Sequence, residues 1–264
     1  MLQTKKICPY KLLDHDAPNA YFSVRKRFFI NFEPPEGIYA FLGLFMSRIH
    51  SISSLFLTII LLFAFINLFA QDNWALSAEH DGIKVYTRPS ANSKIKAVKA
   101  MCTMQASNSQ LVAAIMDIKT CNEWVYHSKL NVMVKQVSPL DLIYYSEVDV
   151  PWPLENRDFV VHIQVEQNPQ TKVITVNSPC IPGYIPEKDK IVRINHSIGN
   201  WTITPIGKGQ VRAEYVLEVD PMGTIPAWLI NMFATKGPLE TFRNLKSHVQ
   251  KDVYKKARYQ QIID

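Results

Sequence analysis

Nine short segments in which apolar and polar side chains alternate follow one another between residues 82 and 220, and one long helical stripe closes the chain after them. The alternating runs are 82–88, 95–104, 130–137, 141–150, 159–167, 172–178, 190–198, 201–206 and 211–220, with turn sequences such as SPLD at 138–141, QNPQT at 167–171 and GKG at 207–209 between them. A period of two places successive side chains on opposite faces of a strand. Val211, Ala213, Tyr215, Leu217 and Val219 therefore share one face, with Arg212, Glu214 and Glu218 on the other. Val161, Ile163 and Val165 oppose His162, Gln164 and Glu166 in the same way, and Leu142, Tyr144, Ser146 and Val148 oppose Glu147 and Asp149. A sheet that is dry on one side must cover that side. The cover on offer is Ile225, Trp228, Leu229, Met232, Phe233, Leu239, Phe242, Leu245 and Val249, which recur at helical spacing. Thr224 is the expected N-cap, Pro226 falls in the first turn, and Gly237-Pro238 predicts a kink. A second helix is expected over 107–118, capped by Ser107 or Asn108. Strands first and a long helix last define an α+β fold.

Composition removes several functions. The net charge of +6 arises from 29 Lys+Arg against 23 Asp+Glu, and positions 1–70 hold seven and four of these, leaving 22 against 19 for the rest. That balance is too even for a nucleic-acid footprint, so no nucleic-acid partner is expected. Nine glycines form no phosphate-cradling motif. Cys8, Cys102, Cys121 and Cys180 make no C-x-x-C pair, so neither a metal nor another cofactor is expected. No G-x-S-x-G or H-E-x-x-H pattern occurs, and the histidines at 80, 127, 162, 196 and 248 are scattered.

The N-terminal part has a different character. Leu55 to Phe65 is an uninterrupted apolar run, preceded by Arg48 and His50 and followed by a return of polar residues. Residues 46–70 read as a signal peptide cut after Ala70, which makes the protein exported, periplasmic or secreted. Leu68, large for its place before the cut, keeps open a membrane anchor through 52–70. Residues 1–45 read as a disordered tail or an overlong start, and 72–258 as the folded domain.

Particular strings sharpen this picture. Tyr86-Thr87-Arg88 after Asp-Gly, Cys121-Asn122-Glu123-Trp124, PWPLENRDFV at 151–160, GNWTITPI at 199–206 and AEYVLEVDPMGTIPAWLINMF at 213–233 resemble, in order, the START (StAR-related lipid-transfer) domain over about 74–250. The resemblance implies a helix-grip fold, related to the Bet v 1-like superfamily, in which a curved antiparallel sheet wraps a long C-terminal helix around a tunnel for one lipid. Arg157 and Asp158 match the family's Arg-Asp pair. As neighbours on a strand they should point to opposite faces and act separately. Some cholesterol-binding members carry a second Arg about six positions on, opposite an acidic residue; Ile163 and Tyr144 stand there in this chain. The departure argues for an apolar cavity in which Tyr144 or Ser146 offers the hydrogen bond.

The expected ligand wall comprises Val132, Val134, Leu142, Tyr144, Ser146, Arg157, Val161, Ile163, Trp201, Ile203, Tyr215 and Leu217 from the sheet. Trp228, Met232 and Phe233 join them from the helix. The proline-rich loop 178–190 carries Ile181, Tyr184 and Ile185 outside any sheet pattern, and is expected to form a lid that touches a membrane transiently. The partners implied are a lipid or hydrophobic small molecule and a membrane surface, with carriage rather than catalysis as the function. A helix-grip cyclase or hydrolase, with Tyr144, Glu147 or Arg157 as its polar groups, or a tethered lipid sensor, are the alternatives.

Overall fold

Alternation of side chains does produce strands here. The computed structural model describes residues 74–264 apart from 91, 92 and 94; the expected tail at 1–45 and signal or anchor at 46–70 lie outside the described residues. The strands are β1 (Ala75–His80), β2 (Ile83–Arg88), β3 (Ala97–Gln105), β4 (Ser128–Ser138), β5 (Asp141–Val148), β6 (Asn156–Gln167), β7 (Ile174–Pro179), β8 (Ile191–Arg193), β9 (His196–Gly207) and β10 (Gln210–Asp220). They hydrogen-bond in the order β1-β2-β3-β10-β9-β7-β6-β5-β4, all antiparallel, while β8 lies parallel to β6 off this path. β1 has no apolar alternation and pairs only with β2, so its pattern announced nothing. The run expected over 190–198 divides into β8 and the start of β9, and Asn195 is exposed between them.

Between β3 and β4 lie α1 (Asn108–Met116), a 3-10 turn (Ile118–Thr120) and α2 (Cys121–Trp124). Ser107 caps α1 through a capping box with Gln110, which occupies donors the first turn would otherwise leave open. At the far end, α3 (Ala227–Asn231), a π-helical turn (Met232–Lys236) and α4 (Gly237–His248) follow one another with helical dihedrals at both junctions, and α5 (Asp252–Lys255) comes after. The N-cap is Pro226, with no side-chain cap, and not Thr224. The expected kink takes the form of the π turn. Pro238 has no N–H to give, and the ladder widens just before it so that the Gly237 N–H reaches back five residues to the Met232 carbonyl. Gly237 also admits the Tyr126 ring, since a Cβ there would lie 3.3 Å from it.

One face of the sheet carries the main core. Val85, Ala100, Cys102 and Met104 join Leu142, Ile163, Ile174, Val176, Trp201, Ile203, Val211 and Ala213 in packing onto α1 and onto Phe242, Leu245 and Val249. Phe242 stacks on Trp201 with centroids 5.4 Å apart, and Trp201 packs on Tyr215 at 4.6 Å. This is the inner face; its wet counterpart is the outer face.

A polar clasp ties down the end of α4. His248, 4% exposed, has Nε2 within 3.2 Å of Thr120 Oγ1 and 2.8 Å of the Tyr254 hydroxyl, which donates to Asp117 Oδ2 at 2.9 Å. Burial pushes the His248 pKa below its ordinary value, Lys251 adds to this, and Glu123 and Asp117 oppose it. The unfolded chain therefore takes up this proton more readily than the folded one. Stability should be indifferent to His248 above the unfolded pKa of about 6.5 and fall as the pH drops below it. Melting temperatures measured across that range should decline on the acid side, and His248→Gln should flatten the decline.

Candidate functional site

Register decides which expected wall residues face the inside. On β5 and β6 the directly opposed pairs Leu142 with Ile163, Tyr144 with Val161, Ser146 with Phe159 and Val148 with Arg157 share the inner face. Across the sheet, Ile203 opposes Ala213, Trp201 opposes Tyr215 and Gly199 opposes Leu217. The helix side chains Trp228, Met232 and Phe233 belong to α3 and the π turn.

Val132 and Val134 are corrected. Val132 pairs with Tyr145 and so lies on the outer face, and Val134 falls at a register shift between Met133 and Lys135. From Leu130 to Met133 the register is unbroken and it is the apolar Val132 that faces outward, while the extra residue at Val134 upsets the alternation only from there on. Asn131 and Met133, opposite Ser146 and Tyr144, occupy the inner positions instead. Ser146 Oγ donates to Asn131 Oδ1 at 2.8 Å, and Asn131 Nδ2 donates to Ser128 Oγ at 2.7 Å.

The inner residues fall into two groups. Leu142, Val161, Ile163, Trp201 and Ile203 are buried in a packed floor. Tyr144, Phe159, Tyr215, Leu217, Met232 and Phe233 are only half-buried, and Trp228 is 50% exposed. Yet burial pushes the Tyr215 phenol up to about 12 and the Tyr144 phenol well above its ordinary value. Gly199 makes room for the Tyr215 hydroxyl, which would stand 2.6 Å from any Cβ placed there. At the lower end, a recess of about 310 Å³ opens beside Leu142, between Met116, Asp117, Gln136, Pro139 and Tyr259.

At the opposite end, Arg157 bridges the strands. Its Nε donates to the Pro221 carbonyl at 3.4 Å and its Nη1 to the Glu155 carbonyl. The adjoining loop carries Trp152, 90% exposed. Asp158 points the other way, as adjacent strand residues must. It holds Arg193 through two hydrogen bonds of 2.7 and 3.1 Å.

The lid residues are corrected as well. Ile181 and Ile185 pack on the outer face against Ile143, Tyr145 and Val160, and only Tyr184 is exposed. β5 is apolar on both faces, so its outer side needs a cover, and this loop supplies it. The polar groups considered for catalysis do not converge either. Glu147 lies on the outer face, bound to Lys129 at 2.8 Å and Asn156 at 3.0 Å, with the sheet between it and Tyr144.

A curved, mainly antiparallel sheet closed over a C-terminal helix defines the helix-grip class. The chain belongs to the START domain family, whose sequence pattern matches residues 66–255. An uncharacterized protein of Pseudomonas aeruginosa is 34% identical over 185 residues, covering 70% of this chain and 90% of its own. The bovine phosphatidylcholine transfer protein is 28% identical over 169 residues, covering 62% and 78% respectively. Among solved structures, a fragment of a STAR-related lipid transfer protein from Xanthomonas axonopodis superposes with a TM-score of 0.62 at 29% identity, covering 68% of this chain and all of that one.

Proposed function

We propose that this protein is a non-catalytic carrier that holds one lipid or similar hydrophobic molecule between the inner face and the C-terminal helix, and exchanges it at a membrane. The observation that carries the reading is the partial exposure of Tyr144, Tyr215 and Leu217 on the inner face and of Met232 and Phe233 on the C-terminal helix, beside the packed floor of Trp201 and Ile203. Side chains deep in a protein that still keep accessible surface border space. A hydrocarbon guest would fill it with about 0.8 kcal/mol for each methylene taken from water. The family and its lipid-transfer relatives support the same reading. Ligand contact is assigned to Tyr144, Ser146, Arg157, Tyr215, Leu217, Met232 and Phe233 on the wall, with Leu142, Val161, Ile163, Trp201 and Ile203 as its floor.

Native mass spectrometry of the purified protein tests this. A co-purified lipid of unchanged mass is the expected result, and a ligand-free protein that takes up none from vesicles rejects the carrier. The membrane contact is assigned to Trp152, in the loop before β6, and Trp228, on α3, two exposed indoles, since tryptophan favours the membrane-water interface. Trp152→Ala with Trp228→Ala should slow lipid exchange between vesicles on the order of tenfold. It should leave stability within about 0.5 kcal/mol, because both side chains are exposed. In the same reading the protein is exported, and N-terminal sequencing of the exported form should begin at Gln71.

A further inference from the structure

Arg157 is the inner face's unbalanced charge. It is 6% exposed, yet no carboxylate lies within 4 Å of it among the described residues, because its chain neighbour Asp158 is spent on Arg193 across the sheet. Its two contacts are backbone carbonyls, and they use Nε and Nη1. Nη2 donates to nothing among the described residues. Burial pushes the guanidinium below its ordinary pKa, against a weaker opposing pull from Glu155. A charge removed from water without a counter-charge is costly to keep, and a guanidinium with an unspent Nη2 fits an oxyanion.

The surroundings grade along the strand. Same-face residues are about 7 Å apart, so the Ser146–Asn131 pair sits one step deeper than the Arg157–Val148 pair. Ser146 Oγ gives its proton to Asn131 and keeps its lone pairs. Tyr144 with Met133 follows, then Leu142 with Ile163 on the packed floor. Charge, then polar groups, then hydrocarbon is the order of an acyl lipid with an acidic head.

Resting on the carrier reading above, we infer that the ligand is a lipid whose anionic head is held by Arg157 at the start of β6, its ester or hydroxyl groups beside Ser146 and Asn131, and its acyl chain on the floor. The head then faces the 221–226 turn, and the chain enters tail first.

The full-length protein is incubated with vesicles containing fluorescent phosphatidic acid or fluorescent phosphatidylcholine, and uptake of each is measured for wild type, Arg157→Gln and Arg157→Lys. Wild type should prefer phosphatidic acid. Arg157→Gln should lose on the order of tenfold or more of that lipid's uptake, the scale of a charge-assisted hydrogen bond, and clearly less of phosphatidylcholine's, whose choline offsets the phosphate charge, while Arg157→Lys recovers part of the loss. Equal uptake of the two lipids by wild type overturns the head assignment whatever the variants do, including a variant that fails to fold. Equal loss of both lipids in a folded Arg157→Gln protein also overturns it, leaving Arg157 a tie between β6 and Pro221. Inorganic phosphate alone raising the melting temperature of wild type but not of Arg157→Gln, with no lipid preference, would assign the site to a free anion instead. Uptake of neither lipid by wild type fails the carrier reading itself, and is distinct from each of these results.

Discussion

Asp158→Ala should lower stability by about 3–5 kcal/mol, the cost of leaving a buried charge without its partner. Asp158 and Arg193 side chains are 1% and 2% exposed, and they meet edge to edge through two hydrogen bonds. Arg193 also donates from Nη1 to the Ile185 carbonyl and from Nη2 to the Pro186 carbonyl, so one guanidinium fastens the 181–186 segment to β6. Without the carboxylate, the guanidinium must find water or pull the loop away from Ile143, Tyr145 and Val160. For a domain of this size the loss corresponds to a fall in melting temperature of roughly 10 °C. The double variant Asp158→Leu with Arg193→Met should recover much of the loss, because a buried pair exchanged for apolar side chains of similar volume is often neutral or better. Thermal melts of the two proteins give the answer. A single variant that melts within a degree of wild type would mean that the pair is solvated and holds nothing in place.

That pair also marks how far the sequence could be read. The inner faces of β6 and β10 were legible, because Val161, Ile163 and Val165, like Val211, Ala213 and Tyr215, alternate with polar residues on strands wet on one side only. The helix stripe from Trp228 to Val249 was legible by its spacing, and the PWPLENRDFV and DPMGTIPAWL strings carried the family. The outer face was not. Ile143 and Tyr145 break the alternation of β5, and whether such residues are covered depends on where a loop forty positions later comes to rest. Arg193 could not be matched to Asp158 for the same reason, since the short parallel strand β8 exists only through that loop's path. On β4, Leu130 to Met133 pair with β5 in unbroken register, with the apolar Val132 facing outward and Asn131 and Met133 inward, and a bulge then sets Val134 out of the alternation. No composition rule signals a bulge in an edge strand. Pro238 was visible as an interruption, but its resolution as a π turn rests on the unbroken helix on both sides.

Leu217→Trp separates a hollow interior from a filled one by the sign of its effects. Leu217 is half-buried on the inner face of β10, opposite Gly199 on β9 and Val98 on β3, and one same-face step from Tyr215. If the proposed space lies before it, an indole enters that space, gains apolar contact and displaces the guest. The melting temperature should then hold or rise while lipid transfer falls at least tenfold, because a carrier's affinity comes from the same contacts the indole now occupies. If side chains meet there instead, the added atoms force neighbours off their rotamers, and overpacking costs about 1–3 kcal/mol. Gly199 sharpens the choice. The Tyr215 hydroxyl already lies against it, so the indole cannot be accommodated by a shift toward β9 and must project away from the sheet, toward the helix. Transfer and melting measured on one preparation resolve the matter: a protein that melts lower and still transfers lipid at the wild-type rate would place the guest elsewhere.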